Sequence, residues 1–291
     1  MNRPLAFVAV LLAASLAVSS ACLAQSMEPI RFSLELQRSS PAKIHASFRH
    51  QGRGDNDNSW STGFMPSELI GLEVSSFHAA GTRPIHFAIV REAGRLDCAG
   101  NGGGDFAAGT CRFAEDHAFT QLLISHGIGR PTSEQAFGLM AVNARRELID
   151  AVAAARYPTP RISDLMGLAA VGVDGHYITD MSRAGYRPQS IHKLIEFKAV
   201  GITPAWIAGF VRVGYGNLPG DCLVQMRALG ITSDYIQGFQ RIGYRDLPVS
   251  TLVQLKALDI TPAFVRSVAS AGEPMPPVNK LVELRMLSRR H

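Results

Sequence analysis

Residues 201–230 read GITPAWIAGFVRVGYGNLPGDCLVQMRALG, and a closely similar string begins again 29 residues later. Tyrosine, glycine, leucine and one further aromatic position all recur at that single spacing. The columns are Tyr157, Tyr186, Tyr215 and Tyr244; Gly185, Gly214, Gly243 and Gly272; Leu165, Leu194, Leu223, Leu252 and Leu281; and Tyr177, Trp206, Tyr235 and Phe264. Agreement among four columns indicates tandem structural repeats, because unrelated positions would not share one period by chance.

Each repeat carries the signals for two short helices. Thr203 followed by Pro204 supplies an N-cap hydroxyl and a proline at the first helical position, where a missing N–H costs nothing. The first helix is predicted to end at the glycine before the tyrosine, as at Gly214, and the second to run from the Leu-Pro pair to Gly230. One hairpin of this size cannot bury its own apolar face, so neighbouring hairpins must stack.

The helical array is predicted to occupy residues 116–291. Weak echoes of the aromatic column at Phe119 and Leu148 place its start near His117. Gly127 and Arg156 stand at the phase of the helix-ending glycine and support the same start.

Residues 27–115 have the alternation of a sheet. Apolar and polar residues alternate with period two, which predicts antiparallel strands with one wet face. The alternating stretches are Ile30–Leu36, Ile44–Phe48 and Ile85–Val90. Gln51–Ser61, rich in Gly, Asp and Asn, is predicted as a loop, and Pro66–Leu72 as a short helix. The predicted fold class is therefore α+β, with a small antiparallel β domain followed by an α-solenoid-like array of hairpins.

The N-terminus has the pattern of a secretory signal peptide over residues 1–24. A short basic start precedes an apolar stretch, Leu5–Val18, and small residues at Cys22 and Ala24 favour a cut that releases Gln25. Fourteen apolar residues are too few to span a membrane, and no later segment reaches the ~20 that a spanning helix needs. We therefore expect an exported protein, periplasmic or secreted. A lipid anchor at Cys22 is disfavoured, because Ser19 stands where that signal wants an aliphatic residue.

Two cysteines flank a glycine-rich turn in the β domain. A hairpin folded about Asn101–Asp105 sets Cys98 opposite Cys111 and Leu96 opposite Phe113. A cross-strand disulfide is expected in an oxidising compartment, although a pair of buried thiols is the other interpretation. Cys222 is left as a free thiol near the start of a helix.

The repeat motifs permit a comparison with a known family. Gly-Ile-Thr-Pro at 201–204 and the Gly-Tyr-x-x-Leu-Pro linkers resemble repeats in the extracytoplasmic C-terminal regions of some penicillin-sensing regulatory metallopeptidases. The segment Arg91-Glu-Ala-Gly with the glycine-rich hairpin after it is similar to the domain that often precedes those repeats. The resemblance implies the architecture. It implies no peptidase activity, because the chain has no His-Glu-x-x-His sequence.

Motifs for catalysis or metal binding are incomplete. No two of the nine histidines stand four apart on a helix, and no Cys-x-x-Cys occurs. The run from Asp55 begins like a calcium loop, but Trp60 and Pro66 occupy the positions of the turn glycine and the bidentate glutamate. Ser190 and Lys193 have the Ser-x-x-Lys spacing of serine acylases without the accompanying motifs. We expect no cofactor, no metal and no enzymatic activity.

Cations repeat along the array in two columns. Arg183, Arg212 and Arg241, the arginine ladder, lie nearly opposite the apolar face of the first helix and are predicted to be exposed. A second column falls inside the apolar arc of the second helix, so its stems should pack while its heads cap the last-turn carbonyls. This inner cation ladder consists of Lys198, Arg227, Lys256 and Arg285. A solvated face is one interpretation of the arginine ladder, and an anionic partner is the other.

These patterns favour a non-catalytic envelope protein that acts as a protein-interaction scaffold or sensor module. An envelope protein or an anionic envelope polymer is the expected partner, and export argues against nucleic acid. The alternative is a small-molecule-binding or hydrolytic β domain that uses His45, His50, His78 or His86, with the helical repeats as support.

Overall fold

The structure is a computed structural model, and it describes residues 29–36, 42–51, 57–269 and 275–288. The predicted signal peptide, Cys22, Gly272 and Asp55 lie outside these residues. Within them a six-stranded antiparallel sheet is followed by a series of short helices, so the predicted α+β class is confirmed.

The sheet has the strand order β3-β2-β1-β6-β5-β4, and every neighbouring pair is antiparallel. Its strands are β1 Ile30–Leu36, β2 Ile44–Gln51, β3 Asp57–Phe64, β4 Arg83–Arg91, β5 Gly94–Gly103 and β6 Phe106–Glu115. Period-two alternation places Phe32, Phe48 and Leu96 on the buried face, while Arg31 and Arg49 lie on the exposed face. The sheet is thus covered on one side only.

The β5–β6 hairpin has the register that its glycine turn predicts. Gly104 and Asp105 form a two-residue loop in which φ is 60° and 66°, as a type I′ turn requires. Cys98 therefore pairs with Cys111, and Leu96 with Phe113. The two sulfur atoms stand at disulfide distance, 2.03 Å apart, and both residues are buried.

One sequence-based prediction in the β domain is wrong. Gln51–Ser61 is not a single loop, because β3 begins at Asp57 and pairs with β2 along its length. Trp60 and Phe64 direct their rings onto the core face, where both lie close to the ring of Phe48. The predicted helix at Pro66–Leu72 shortens to one 3₁₀ turn, Pro66–Glu68, and a further short helix, α1, spans Val74–His78.

The first helix of the array begins at His117, and the period of the array is exact in the backbone. The first helices of successive units are α2 His117–Ser125, α4 Arg146–Ala154, α6 Gly175–Arg183, α8 Pro204–Arg212, α10 Ser233–Arg241 and α12 Pro262–Val268. The second helices are α3 Ser133–Ala141, α5 Ile162–Ala170, α7 Ile191–Ala199, α9 Gly220–Ala228, α11 Val249–Ala257 and α13 Val278–Ser288. Each helix starts 29 residues after its counterpart, including units whose sequence repeat is faint.

Helix ends follow the predicted signals. The Thr203 hydroxyl accepts a hydrogen bond from the Trp206 backbone N–H at 3.2 Å, and Thr232 and Thr261 cap α10 and α12 in the same way. Gly214 and Gly230 end their helices in the left-handed conformation, with φ of 92° and 65°. Local sequence therefore determines where each helix begins and ends.

The helices form two layers. In one layer α2, α4, α6, α8, α10 and α12 pack in succession, and in the other α3, α5, α7 and α9 do the same. The buried residues divide into clusters that follow one another along the chain, and the last cluster joins Phe239, Leu255 and Leu281. No residue of the sheet belongs to that last cluster among the residues that the structure describes, so the array extends away from the β domain.

The first hairpins share one core with the sheet. Phe137 of α3 lies edge-on to Phe113 and Trp60, with ring centroids 5.6 and 6.4 Å away. The Arg91 guanidinium, at the end of β4, donates to the carbonyl oxygens of Met140 and Ala141 at 2.8 and 2.5 Å. These are the last residues of α3, so a strand of the β domain caps a helix of the array.

Candidate interaction surfaces

The arginine ladder lies on three consecutive helices of one layer. Arg183, Arg212 and Arg241 are the last residues of α6, α8 and α10, and all three are exposed. Arg183 pairs with Asp180 at 3.0 Å, and Arg241 donates to the side-chain oxygen of Gln237. The stacking of the three helices brings the three charges to one side of the array.

The inner cation ladder has a structural role. Arg227 and Arg285 are half-buried, and each reaches back one unit to donate to the carbonyl oxygen at the end of the preceding second helix, at Val200 and Leu258. Lys198 and Lys256 differ from the prediction: their Nζ atoms lie over the rings of Tyr177 and Tyr235, at 4.5 and 5.1 Å from the ring centroids. Arg227 and Arg285 thus connect neighbouring units, whereas Lys198 and Lys256 contact the first helix of their own unit.

The tyrosine columns also connect neighbouring units. The Tyr177 hydroxyl donates to the Ile202 carbonyl at 2.8 Å, and Tyr235 repeats the bond to Ile260 at 2.7 Å. Tyr157 and Tyr215 donate to Pro188 and Leu247, across the other helix connection. Trp206 replaces tyrosine in the first of these columns, and its buried Nε1 has no hydrogen-bond partner.

These tyrosines predict an alkaline limit to stability. Burial raises the pKa of all six tyrosines, and most strongly those of Tyr177 and Tyr235. An unfolded tyrosine ionises near pH 10, while the folded phenols keep their protons to higher pH. The unfolded state therefore binds fewer protons above about pH 10, and the free energy of unfolding falls as the pH rises from there.

Circular dichroism and tyrosinate absorbance, followed together from pH 8 to pH 12, check this expectation. The phenols should ionise in the same transition in which the helices are lost. Tyr177→Phe should reduce the slope with which the free energy of unfolding falls as the pH rises over this range. Ionisation that is complete while the helical signal is intact would contradict the prediction.

The Ser-x-x-Lys pair forms a helix start. The Ser190 hydroxyl accepts the Lys193 backbone N–H at 3.2 Å and caps α7. The Lys193 ammonium lies 2.5 Å from a Glu196 oxygen and 2.6 Å from an Asp221 oxygen, and hydrogen bonds to these carboxylates raise its pKa. A raised pKa holds the amine protonated, which is the wrong state for a general base.

The four histidines of the β domain do not come together. His86 lies on the edge strand β4, four strands away from His45 and His50 on β2, and His78 on α1 pairs with Asp105. His50 is buried, with 5% of its surface exposed, and its Nδ1 has no hydrogen-bond partner. It lines a cavity of about 260 Å³ between the sheet and α3, together with Trp60 and Phe137.

The described residues contain neither a metal-ligand cluster nor a single membrane-spanning helix. No group of three His, Cys, Asp or Glu side chains lies close enough there to hold a metal ion. No single described helix is long and apolar enough to cross a bilayer, although α7 and α8, bent by 93° at their junction, meet that test as a pair.

Sequence reasoning missed a row of side chains on the exposed face of the sheet. Strand pairing aligns six residues, one from each strand, in a line perpendicular to the strands. This arginine row consists of Ser59, Arg49, Arg31, Thr110, Ala99 and His86. The sequence alone could not predict this row, because its members are aligned by the register of the strands, and most of the connecting loops do not fix that register.

Comparison of the chain with protein-family models, curated proteins and solved structures finds no match.

Proposed function

We propose that this protein is a non-catalytic exported protein of the cell envelope that acts as an interaction scaffold or sensor module. The observation that carries the proposal is the arginine ladder, in which the side chains of Arg183, Arg212 and Arg241 are exposed to solvent on three stacked helices. Repeat arrays of this kind provide extended binding surfaces. An envelope protein with an acidic face, or an anionic envelope polymer, fits the charge.

Several observations support this function. Ser190 and Lys193, which have the spacing of a serine acylase, both form structural hydrogen bonds. The Ser190 hydroxyl caps α7, and the Lys193 ammonium donates to Asp221. The cysteine pair at disulfide distance agrees with an oxidising compartment. The resemblance of the repeats to those of the penicillin-sensing metallopeptidases agrees with an envelope role.

A triple variant tests the ladder. Arg183, Arg212 and Arg241 are replaced by glutamine, and the full chain is used to capture partners from envelope extract. Three exposed ion pairs of roughly 0.5 kcal/mol each amount to about a tenfold loss of captured partner. The matched control replaces three scattered exposed arginines, Arg83, Arg130 and Arg266, and should capture as much as the natural protein. An equal loss in both variants, or no specific capture by the natural protein, would refute the proposal.

A small-molecule-binding β domain is the second candidate, and the cavity beside His50 favours it. A buried imidazole nitrogen without a hydrogen-bond partner lowers the stability of the fold, unless a ligand donates to it or accepts from it. A screen of the purified protein against esterase, peptidase and glycosidase substrates separates a hydrolytic role from the scaffold role, because a scaffold should turn over none of them.

A further inference from the structure

The exposed face of the sheet carries positive charge that the described part of the chain leaves unpaired. Arg31 on β1 and Arg49 on β2 are direct cross-strand partners, and both are exposed. Like charges directly opposite each other on a sheet are destabilising. No carboxylate of the described residues forms an ion pair with either of them, or with Arg112 on β6.

Asp97 and Glu35 are acidic side chains on this face, and Asp97 is the direct cross-strand partner of Arg112. Asp97 is held by Arg95, whose Nε lies 2.8 Å from one of its oxygens. Glu35 is four residues along β1 from Arg31, or about 13 Å at the strand rise of ~3.4 Å per residue. Within the described part of the chain, the two facing arginines therefore have no carboxylate partner.

The surroundings of the arginines are polar and elongated. The arginine row crosses six strands, which at ~4.8 Å per step is roughly 24 Å. At one end it runs into a groove of about 610 Å³, whose lining includes His86, Thr110, Arg112 and the paired side chains of Arg95 and Asp97. The adjacent row across β1, β2 and β3 consists of the hydroxyls of Ser33, Ser47 and Ser61, and the last two are hydrogen-bonded to each other at 2.7 Å.

We propose that this face binds an extended acidic oligosaccharide that lies across the strands, with its carboxylates on Arg31 and Arg49. Guanidinium groups match carboxylates with two parallel hydrogen bonds. Serine and threonine hydroxyls both donate and accept, as sugar hydroxyls require. The open, shallow groove suits a chain rather than a compact ligand. This inference rests on the proposed function, since it gives the β domain of an exported binding protein its own ligand class.

Titration calorimetry on the full chain at low salt tests the proposal. The probe is an oligogalacturonate, a carboxylated oligosaccharide, and a neutral maltohexaose of similar length is its control. The oligogalacturonate should bind and the maltohexaose should not. Arg31→Gln combined with Arg49→Gln should weaken binding about tenfold or more, because both bidentate contacts are lost. Arg130→Gln combined with Arg266→Gln, which removes the same number of exposed charges from the helical array, should leave the affinity nearly unchanged.

Stability separates loss of the site from loss of the fold. The double variant removes a like-charge pair, so its melting temperature should equal or exceed that of the natural protein. Equal affinity of the double variant and the natural protein would overturn the proposal, as would equal affinity for the neutral sugar. Binding to phosphatidylglycerol vesicles without binding to oligogalacturonate would assign the face to a membrane and overturn it too.

The arginine-ladder variant makes this test independent of the proposed function. Its substitutions lie on α6, α8 and α10, so its affinity for oligogalacturonate should be unchanged. Suppose that the ladder variant captures partners normally and that the double variant of Arg31 and Arg49 loses its affinity for oligogalacturonate. The proposed binding role of the array would then be refuted, and the proposed site on the sheet would be supported. Loss of partner capture by the ladder variant, together with unchanged affinity of the double variant for oligogalacturonate, would refute the site on the sheet alone.

Discussion

Leu252→Ala is expected to lower the free energy of unfolding by about 2 to 5 kcal/mol, and Leu281→Ala by visibly less. Both leucines are fully buried and stand at the same phase of the repeat. Leu252 packs in a cluster with Ile236 of its own unit and with Phe210 and Met226 of the unit before it, and α12 and α13 follow it. Leu281 lies in α13, the last helix that the structure describes, and packs mainly against the preceding units.

Urea denaturation midpoints of the two variants measure this difference. A terminal unit should lose less stability than an interior unit, because each stacked unit contacts only its neighbours. Leu223→Ala, in another interior unit, is the matched control and should resemble Leu252→Ala. A Leu281 variant as unstable as the Leu252 variant would contradict an open array.

Replacing both Cys98 and Cys111 with alanine is expected to cost about 2 to 3 kcal/mol of stability. A disulfide between them closes a loop with a sequence separation of 13 and so restricts the unfolded chain. Cys222→Ala, which removes the free thiol, should leave the denaturation midpoint nearly unchanged.

Mass spectrometry of unreduced peptides from the natural protein gives the complementary measurement. Protein recovered from the cell envelope should yield a linked peptide that contains both residues. Recovery of Cys98 and Cys111 as alkylated thiols would show that the pair stays reduced, and the loss of stability should then not appear.

The repeats were predictable from sequence because their signals are local. A threonine cap and a left-handed glycine act within one helix, so Thr203 and Gly214 mark the limits of α8 without knowledge of the rest of the chain, and Leu223 marks the buried face of α9 in the same local way. The β5–β6 register was predictable for the same reason, since a tight turn at Gly104 fixes it.

What the sequence could not supply depends on contacts between distant segments. The strand β3 was missed because its first residues are polar, and only Trp60 and Phe64 show its buried face once β2 lies beside it. The bond from Arg91 to the end of α3 joins residues 49 and 50 positions apart, and no local pattern announces it. The pairing of Arg31 with Arg49 likewise requires the register of β1 on β2.

The core that the sheet shares with the first hairpins bears on the order in which the chain folds. Phe32 and Phe48 belong to the same buried cluster as Phe137 and Leu165, so the sheet cannot complete its apolar face until the chain has been made as far as α5. Each later hairpin then meets a neighbour that is already formed, and its contacts are short in sequence, which favours fast folding. We infer that the array grows from the sheet outward, one unit at a time.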